Sequence, residues 1–246
     1  MHKISAVIIT YNEELRVRRT LESVKWCDEI IVVDSCSTDK TVDICNEYSN
    51  CKVYSQPFLG YGLQKKFAVD QATNNWVISI DADEVMTDAL IKEIKMLLNK
   101  PVLSISGFYI PLKLVFMNKE FKYGNVKKLC LFDKTKGNFD SQNLHEVVHV
   151  SGKTIKLRRK ILHYSYKDIH HYISKMNDYT TIYAKERSKN GKRVSRTMSI
   201  FRFSFEFTKQ YFLECNFLNG YAGFVWSILS SSYVFVKLAK LHEINS

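Results

Sequence analysis

Two aspartates separated by one alanine, Asp81 and Asp83, directly follow the apolar run Trp76-Val77-Ile78-Ser79-Ile80. Residues two apart at the end of an extended strand project to the same side and can share one ligand. Two hard carboxylates suit Mg2+ or Mn2+; such a cation keeps open positions for diphosphate oxygens and neutralises the charge that builds on a departing phosphate. The same spacing also describes a solvated acidic turn ahead of a helix starting near Thr87. Polar residues end two earlier apolar runs as well. Thr10, Tyr11, Asn12 and Glu13 follow Ala6-Val7-Ile8-Ile9, and Asp34 follows Ile30-Ile31-Val32-Val33.

These runs alternate with helical patterns, which predicts repeated βα units and a parallel, doubly wound sheet. Thr10 and Glu13 have capping-box spacing for a helix through about Val24. A second helix carries Val42, Cys45 and Tyr48. Lys52-Val53-Tyr54 begins a third strand, and a third helix runs from about Gly62 to Ala72. In such a sheet a ligand sits beyond the carboxyl ends of the strands, where Tyr11, Asn12, Asp34, Asp81 and Asp83 would converge. For Asn12 taken alone, helix capping is the plainer explanation. No G-x-G-x-x-G and no G-x-x-x-x-G-K-[ST] occurs, which argues against a dinucleotide oxidoreductase and a P-loop NTPase.

In their order and spacing, four segments of the first 90 or so residues are similar to family 2 of the inverting glycosyltransferases with the GT-A fold: SAVIITYNEE, DSCSTDKT, GYGLQKKFA and WVISIDADE. Carried over residue by residue, the resemblance implies that Thr10, Tyr11, Asn12 and Glu13 contact base and ribose, and that Asp34 binds uracil or ribose. Lys65 would lie near the diphosphate, Asp81 would contact ribose or sugar, and Asp83 would bind the metal. The DADE form, with the later LHEVVHVSG and LHYSY, looks most like the lipopolysaccharide-core β-1,4-glucosyltransferases that act on inner-core heptose.

Family chemistry of this kind is a single in-line displacement that inverts the anomeric centre and requires one general base. Glu146, in Asn143-Leu144-His145-Glu146, is the expected base, with His145 as the alternative; Glu146 also reads as a surface carboxylate leading into Val147-Val148. His163 is a candidate to complete the metal shell, although a lone histidine is often simply hydrogen-bonded.

With 246 residues, 46% of them hydrophobic, one catalytic domain plus an extension is the economical organisation. The resemblance implies a GT-A type α/β domain over residues 1–165, Rossmann-like, with a mainly parallel sheet and helices on both faces. Its nucleotide-sugar half covers about 1–100 and its acceptor half about 101–165. The segment Ile105 to Phe121 and the run Lys127 to Phe132 extend the sheet. A helical, basic extension follows over 166–246. Its first helix starts at Asp168, stops at Gly191 and carries a core stripe of Ile169, Tyr172, Ile173, Met176, Tyr179 and Tyr183. A second helix spans Arg196 to Phe212.

The formal net charge is +11, and all of it lies from Ser151 onward, where 17 Lys+Arg face 6 Asp+Glu; residues 1–150 hold 19 of each. Beside this basic sequence, Cys215 to Val236 is uncharged and aromatic-rich, a combination suited to an anionic membrane surface, though also to a buried helix pair. Six cysteines without a C-x-x-C pair, and no basic-then-apolar N-terminal leader, lead to the expectation of a cytoplasmic protein peripheral on the inner face of the membrane. The expected partners are a UDP-sugar, UDP-glucose foremost, and a lipid-linked core oligosaccharide. No RNA-binding motif is found, so no nucleic acid is expected. Two other functions stay open at this point: a transferase loading polyprenyl phosphate, and a non-catalytic binder of nucleotide sugar or nucleic acid.

Overall fold

In the computed structural model, which describes residues 2–99, 104–122, 126–140 and 147–246, the opening apolar run forms β1 (Ile4–Thr10). It is followed by α1 (Val17–Val24), β2 (Glu29–Asp34), α2 (Thr41–Asn46), β3 (Cys51–Ser55), α3 (Tyr61–Gln71) and β4 (Trp76–Asp81). Side chains along β1 alternate between two cores. Ile4, Ala6 and Ile8 join Val17, Leu21 and Val24 of α1, whereas Val7 joins Ala68 and Val69 of α3. Burial on both faces explains why the strand reads as one continuous apolar run.

Four further strands and a helix continue the chain: β5 (Glu84–Met86), α4 (Asp88–Leu98), β6 (Gly107–Phe116), β7 (Lys119–Glu120) and β8 (Val126–Asp133). Short strands follow, namely β9 (Gly137–Phe139), β10 (Val148–Val150), β11 (Thr154–Lys156) and β12 (Ile161–His163). The sheet order is β3-β2-β1-β4-β8-β6-β12-β5, with β11 also on β6, while β9 and β10 form a separate antiparallel pair. β1 to β4 are mutually parallel, and β8 enters antiparallel to both β4 and β6. Thr87 caps α4, the helix expected to start near it, accepting from Leu90 N–H.

The capping box expected of Thr10 and Glu13 does not form. Asn12 lies in the left-handed region at φ 52°, which a helix cannot start through, and α1 begins only at Val17. The backbone N–H groups that a helix start would leave open are taken by distant side chains instead. Asn12 N–H donates to Ser37 Oγ at 2.8 Å, Glu13 N–H to Thr41 Oγ1 at 2.8 Å and Glu14 N–H to Asp39 at 3.1 Å.

The chain divides into two compact units, Met1–Lys113 with Asn125–His163, and Leu114–Gly124 with Tyr164–Ser246. The second contains α5 (Ile169–Lys189), capped by Asp168, and α6 (Arg196–Thr208), capped by Ser195. A π turn over Lys209–Leu213 and a 3-10 turn over Asn216–Asn219 lead to α7 (Gly220–Ile244). Its core gathers Phe116 and Phe121 around Trp226, with Tyr166 and Tyr172 at the same ring. On α5 the buried positions are Tyr172, Thr180 and Ala184, whereas Ile169, Ile173 and Tyr179 are exposed. The apolar stripe expected to be core is therefore core only in part: Tyr172 is buried, but beyond it small Thr180 and Ala184 take the buried positions. The run Asn216–Ile244 is long and apolar enough to cross a membrane by length and composition, a property that core helices of soluble proteins share.

Phe108 is fully buried on β6 with its ring centroid 5.6 Å from that of Trp76 on β4, joining the parallel and antiparallel parts of the sheet. Phe108→Ala is expected to cost about 3–5 kcal/mol of stability, read from the urea midpoint of the purified protein.

Candidate active site

Parallel pairing aligns the carboxyl ends of β1, β2 and β4, with Thr10 beside Asp34 and Ile9 beside Asp81. The loop after β1 and the turn after β2 are bonded to each other in both directions: besides the donors from Asn12, Glu13 and Glu14, Thr38 N–H reaches Asn12 Oδ1 at 2.8 Å. Asp34 is buried, and its carboxylate accepts from the backbone N–H and hydroxyl of Ser37. Tyr11 stands exposed at the rim. Buried Thr10 Oγ1 has no hydrogen-bond partner among the described residues, an acceptor and donor left for something outside the chain.

β4 ends at Asp81, and Ala82 and Asp83 form a turn into β5. The two aspartates thus leave the strand by different routes and take different partners. Lys65, from α3, places Nζ 2.8 Å from Asp81 Oδ1, and Lys128, from β8, lies 2.9 Å from Asp81 Oδ2. Lys128 also contacts Glu84 at 3.1 Å, and Glu84 accepts from Asp81 N–H at 3.0 Å. Asp83 instead faces His163, with Nε2 3.4 Å from Oδ1, and Arg16 at 3.9 Å; Arg16 is also bonded to Glu13. Antiparallel pairing of β12 with β5 sets His163 opposite Glu84 and so within reach of Asp83.

Burial opposes charge on Asp81, yet Lys128 and Lys65 outweigh it and hold the carboxyl well below the usual carboxylate range. Burial likewise opposes charge on Lys128, but Asp81 and Glu84 raise it well above an ordinary lysine. Glu84 is pushed up by burial, with Lys128 opposing and Asp81 adding to the rise. Asp83 stays below its usual value against its burial because His163 hydrogen-bonds to it, and His163 is correspondingly raised, against its own burial, by Asp83.

The family model described as Glycosyl transferase family 2 matches residues 5–206. The chain belongs to this family. It is 35% identical over 258 residues to an uncharacterized glycosyltransferase of Rickettsia felis, a match covering 99% of this chain and 90% of that one. It is 30% identical over 249 residues to the lipopolysaccharide core biosynthesis glycosyltransferase LpsC of Rhizobium meliloti, covering 98% and 92%. A mannosyltransferase from Pyrobaculum calidifontis, solved with GDP-Man and Mn2+, shares the fold with TM-score 0.53 at 13% identity, covering 100% of this chain and 88% of that one. The protein is therefore a family 2 glycosyltransferase with a GT-A-like fold: a mixed, mostly parallel sheet with helices and a C-terminal helical part.

A carboxylate oxygen and an imidazole nitrogen as close as those of Asp83 and His163 can ligate one divalent cation from the same side, so the donor set fits Mn2+ or Mg2+ with positions left for diphosphate oxygens. Among the described residues no group of three or more His, Cys, Asp or Glu surrounds one point, in keeping with the commitment of Asp81 to two lysines. Glu146 and His145 lie outside the described residues.

Three contributors escape motif reading. Lys128 shares its strand phase with buried Cys130, and a charged residue in phase with a buried one signals a counter-charge beside it, here Asp81 and Glu84. Thr20, fully buried on α1, brings its hydroxyl within 2.8 Å of both the Ala82 and Glu84 carbonyls, and so pins the turn that carries Asp83. Arg16 had no signal beyond its place after Glu13.

Lys128→Met would leave two neighbouring carboxyls without their shared cation, and a loss of about 3–5 kcal/mol is expected in urea unfolding. With chelator present, the raised folded-state pKa of His163 makes its contribution to stability full below the ordinary value of 6.5 and lost as pH rises through the folded value. Wild type should therefore lose melting temperature above neutral pH relative to acid, and His163→Gln should flatten that profile. Superimposable profiles would show that the Asp83–His163 contact adds nothing to stability.

Proposed function

We propose that this protein transfers a hexose, glucose by its narrower sequence likeness, from a UDP-sugar to inner-core heptose of lipopolysaccharide or lipooligosaccharide, with inversion. The observation that carries the reading is the charge cluster at the carboxyl ends of β1, β2 and β4, where Asp83 with His163 stands beside an Asp81 clamped by two lysines. The acceptor class is supported by LpsC, whose name places it in lipopolysaccharide core biosynthesis.

In this reading the pocket around Thr10, Tyr11, Asn12, Glu13 and Asp34 receives base and ribose, and the bonded pair of loops keeps it shaped before the donor arrives. Asp83 and His163 hold the divalent cation, which supplies charge neutralisation to the departing diphosphate. Lys65 and Lys128 keep Asp81 ionised and oriented toward ribose or sugar, with the Lys65 ammonium also available to the diphosphate. Glu146, or His145 in its place, takes the proton from the acceptor hydroxyl as that oxygen attacks the anomeric carbon opposite the leaving UDP. The basic helical unit keeps the protein peripheral on the inner face of the cytoplasmic membrane, where a lipid-linked acceptor is found.

The test is transfer to heptosylated lipid A core across a panel of nucleotide sugars, with Mn2+ or with chelator. Transfer from UDP-glucose that chelator stops is expected, with kcat/KM at least ~100-fold lower in Asp83→Ala. Glu146→Gln should lower kcat by ~100-fold or more while still binding donor; undiminished turnover would move the base elsewhere. If no nucleotide sugar raises the melting temperature with Mn2+ present, the donor-binding reading fails.

A further inference from the structure

Within the helical unit, α5, α6 and α7 line an open cavity of about 420 Å3, within the range of small-molecule sites. Five cations line it: Arg187 from α5, Lys192 and Arg193 from the loop that follows, Arg202 from α6 and Lys237 from α7. No carboxylate lines it, and among the described residues none forms an ion pair with any of the five. The acid acting on Lys237 is Glu206, which is already bonded to Lys209 and Gln210. One wall is apolar, made by Val234, Leu238 and Leu241 of α7 with Met198 of α6.

Like charges gathered at a concave surface repel one another and raise the local potential for an anion. The half-buried Lys237 ammonium is pushed below its ordinary value by burial, with Arg202 and Arg187 adding to the effect against Glu206. Beside Glu206, the rings of Tyr183 at 5.1 Å and Tyr233 at 5.4 Å face the ammonium, and the guanidinium of Arg187 shares the Tyr183 ring at 5.4 Å. Such a constellation is complementary to a multivalent anion. The same unit carries a run of exposed aromatics, Phe201, Phe205, Phe212, Phe217, Tyr221 and Phe224, which suits a lipid interface.

We propose that the cavity between α5, α6 and α7 binds a phosphate group carried on an apolar tail, the five cations taking the phosphate and the α7 wall the first part of the tail. The inference deepens the membrane-peripheral part of the proposed function by giving it one specific site, and it needs no nucleotide sugar for its test.

Binding to the full-length protein is measured by titration calorimetry with dihexanoyl phosphatidic acid below its micelle concentration, with inorganic phosphate, and with dihexanoyl phosphatidylcholine. Flotation with phosphatidylglycerol and with phosphatidylcholine vesicles runs in parallel. The short-chain phosphatidic acid is expected to bind at least ten times more tightly than inorganic phosphate, and phosphatidylcholine not at all. Arg202→Gln with Lys237→Gln should weaken that binding at least tenfold and reduce flotation on anionic vesicles, while Lys185→Gln, outside the cavity, should do neither. Circular dichroism confirms that the double variant folds, and a single Lys237→Met offers a second test if it does not. Inorganic phosphate binding as tightly as the lipid would overturn the apolar half and leave a free-phosphate site. Unchanged lipid binding in the variants would overturn the site altogether, and neither result bears on transfer activity.

Discussion

The charge of Lys128, largely shielded from solvent between part-exposed Asp81 and fully buried Glu84, is the constraint on which the arrangement of the site rests. Asp81 and Lys128 hold one another in the charged form against their burial, whereas burial pushes Glu84 up with Lys128 opposing. Geometry follows from the charge. β8 must run antiparallel beside β4 for Lys128 to arrive level with Asp81, and Glu84 must turn back from β5 to meet them both. The sheet therefore changes from parallel to mixed at the point where the chemistry is concentrated.

Around that cluster, order is maintained by hydrogen bonds. Thr20 and Ser23 fix the β4–β5 segment onto α1, with Met86 N–H reaching Ser23 Oγ at 3.1 Å. Asp39, Ser37 and Thr41 hold the loop after β1. Two loops that would each be mobile alone are thereby tied into one body, and preorganisation of a nucleotide pocket needs that property.

The parts of this design legible in the sequence are those governed by local pattern. Continuous apolar runs marked β1, β2 and β4 because both faces of each are buried, and the polar residues at their ends were visible as motif residues. Long-range bonds were not visible. The Thr10–Glu13 spacing suggested a cap, but side chains from 25 and 28 residues away claim those backbone donors, so tertiary contacts override the local signal. Lys128 looked like any strand lysine because its counter-charges come from 44 and 47 positions away. On α5 the stripe was right at Tyr172 and misled further along, where small Thr180 and Ala184 are the buried residues.

The segment Leu114–Gly124 belongs to the helical unit although it is interrupted from it by about forty residues of the other unit. Phe116 and Phe121 leave the ribosome roughly a hundred residues before Trp226, the ring they pack against. At synthesis rates of about 5–20 residues per second, they remain without that partner for on the order of 5–20 s. The order of translation thus runs against the order of assembly here, and a nascent chain at this stage presents two bare phenylalanines to whatever chaperone or membrane it meets first.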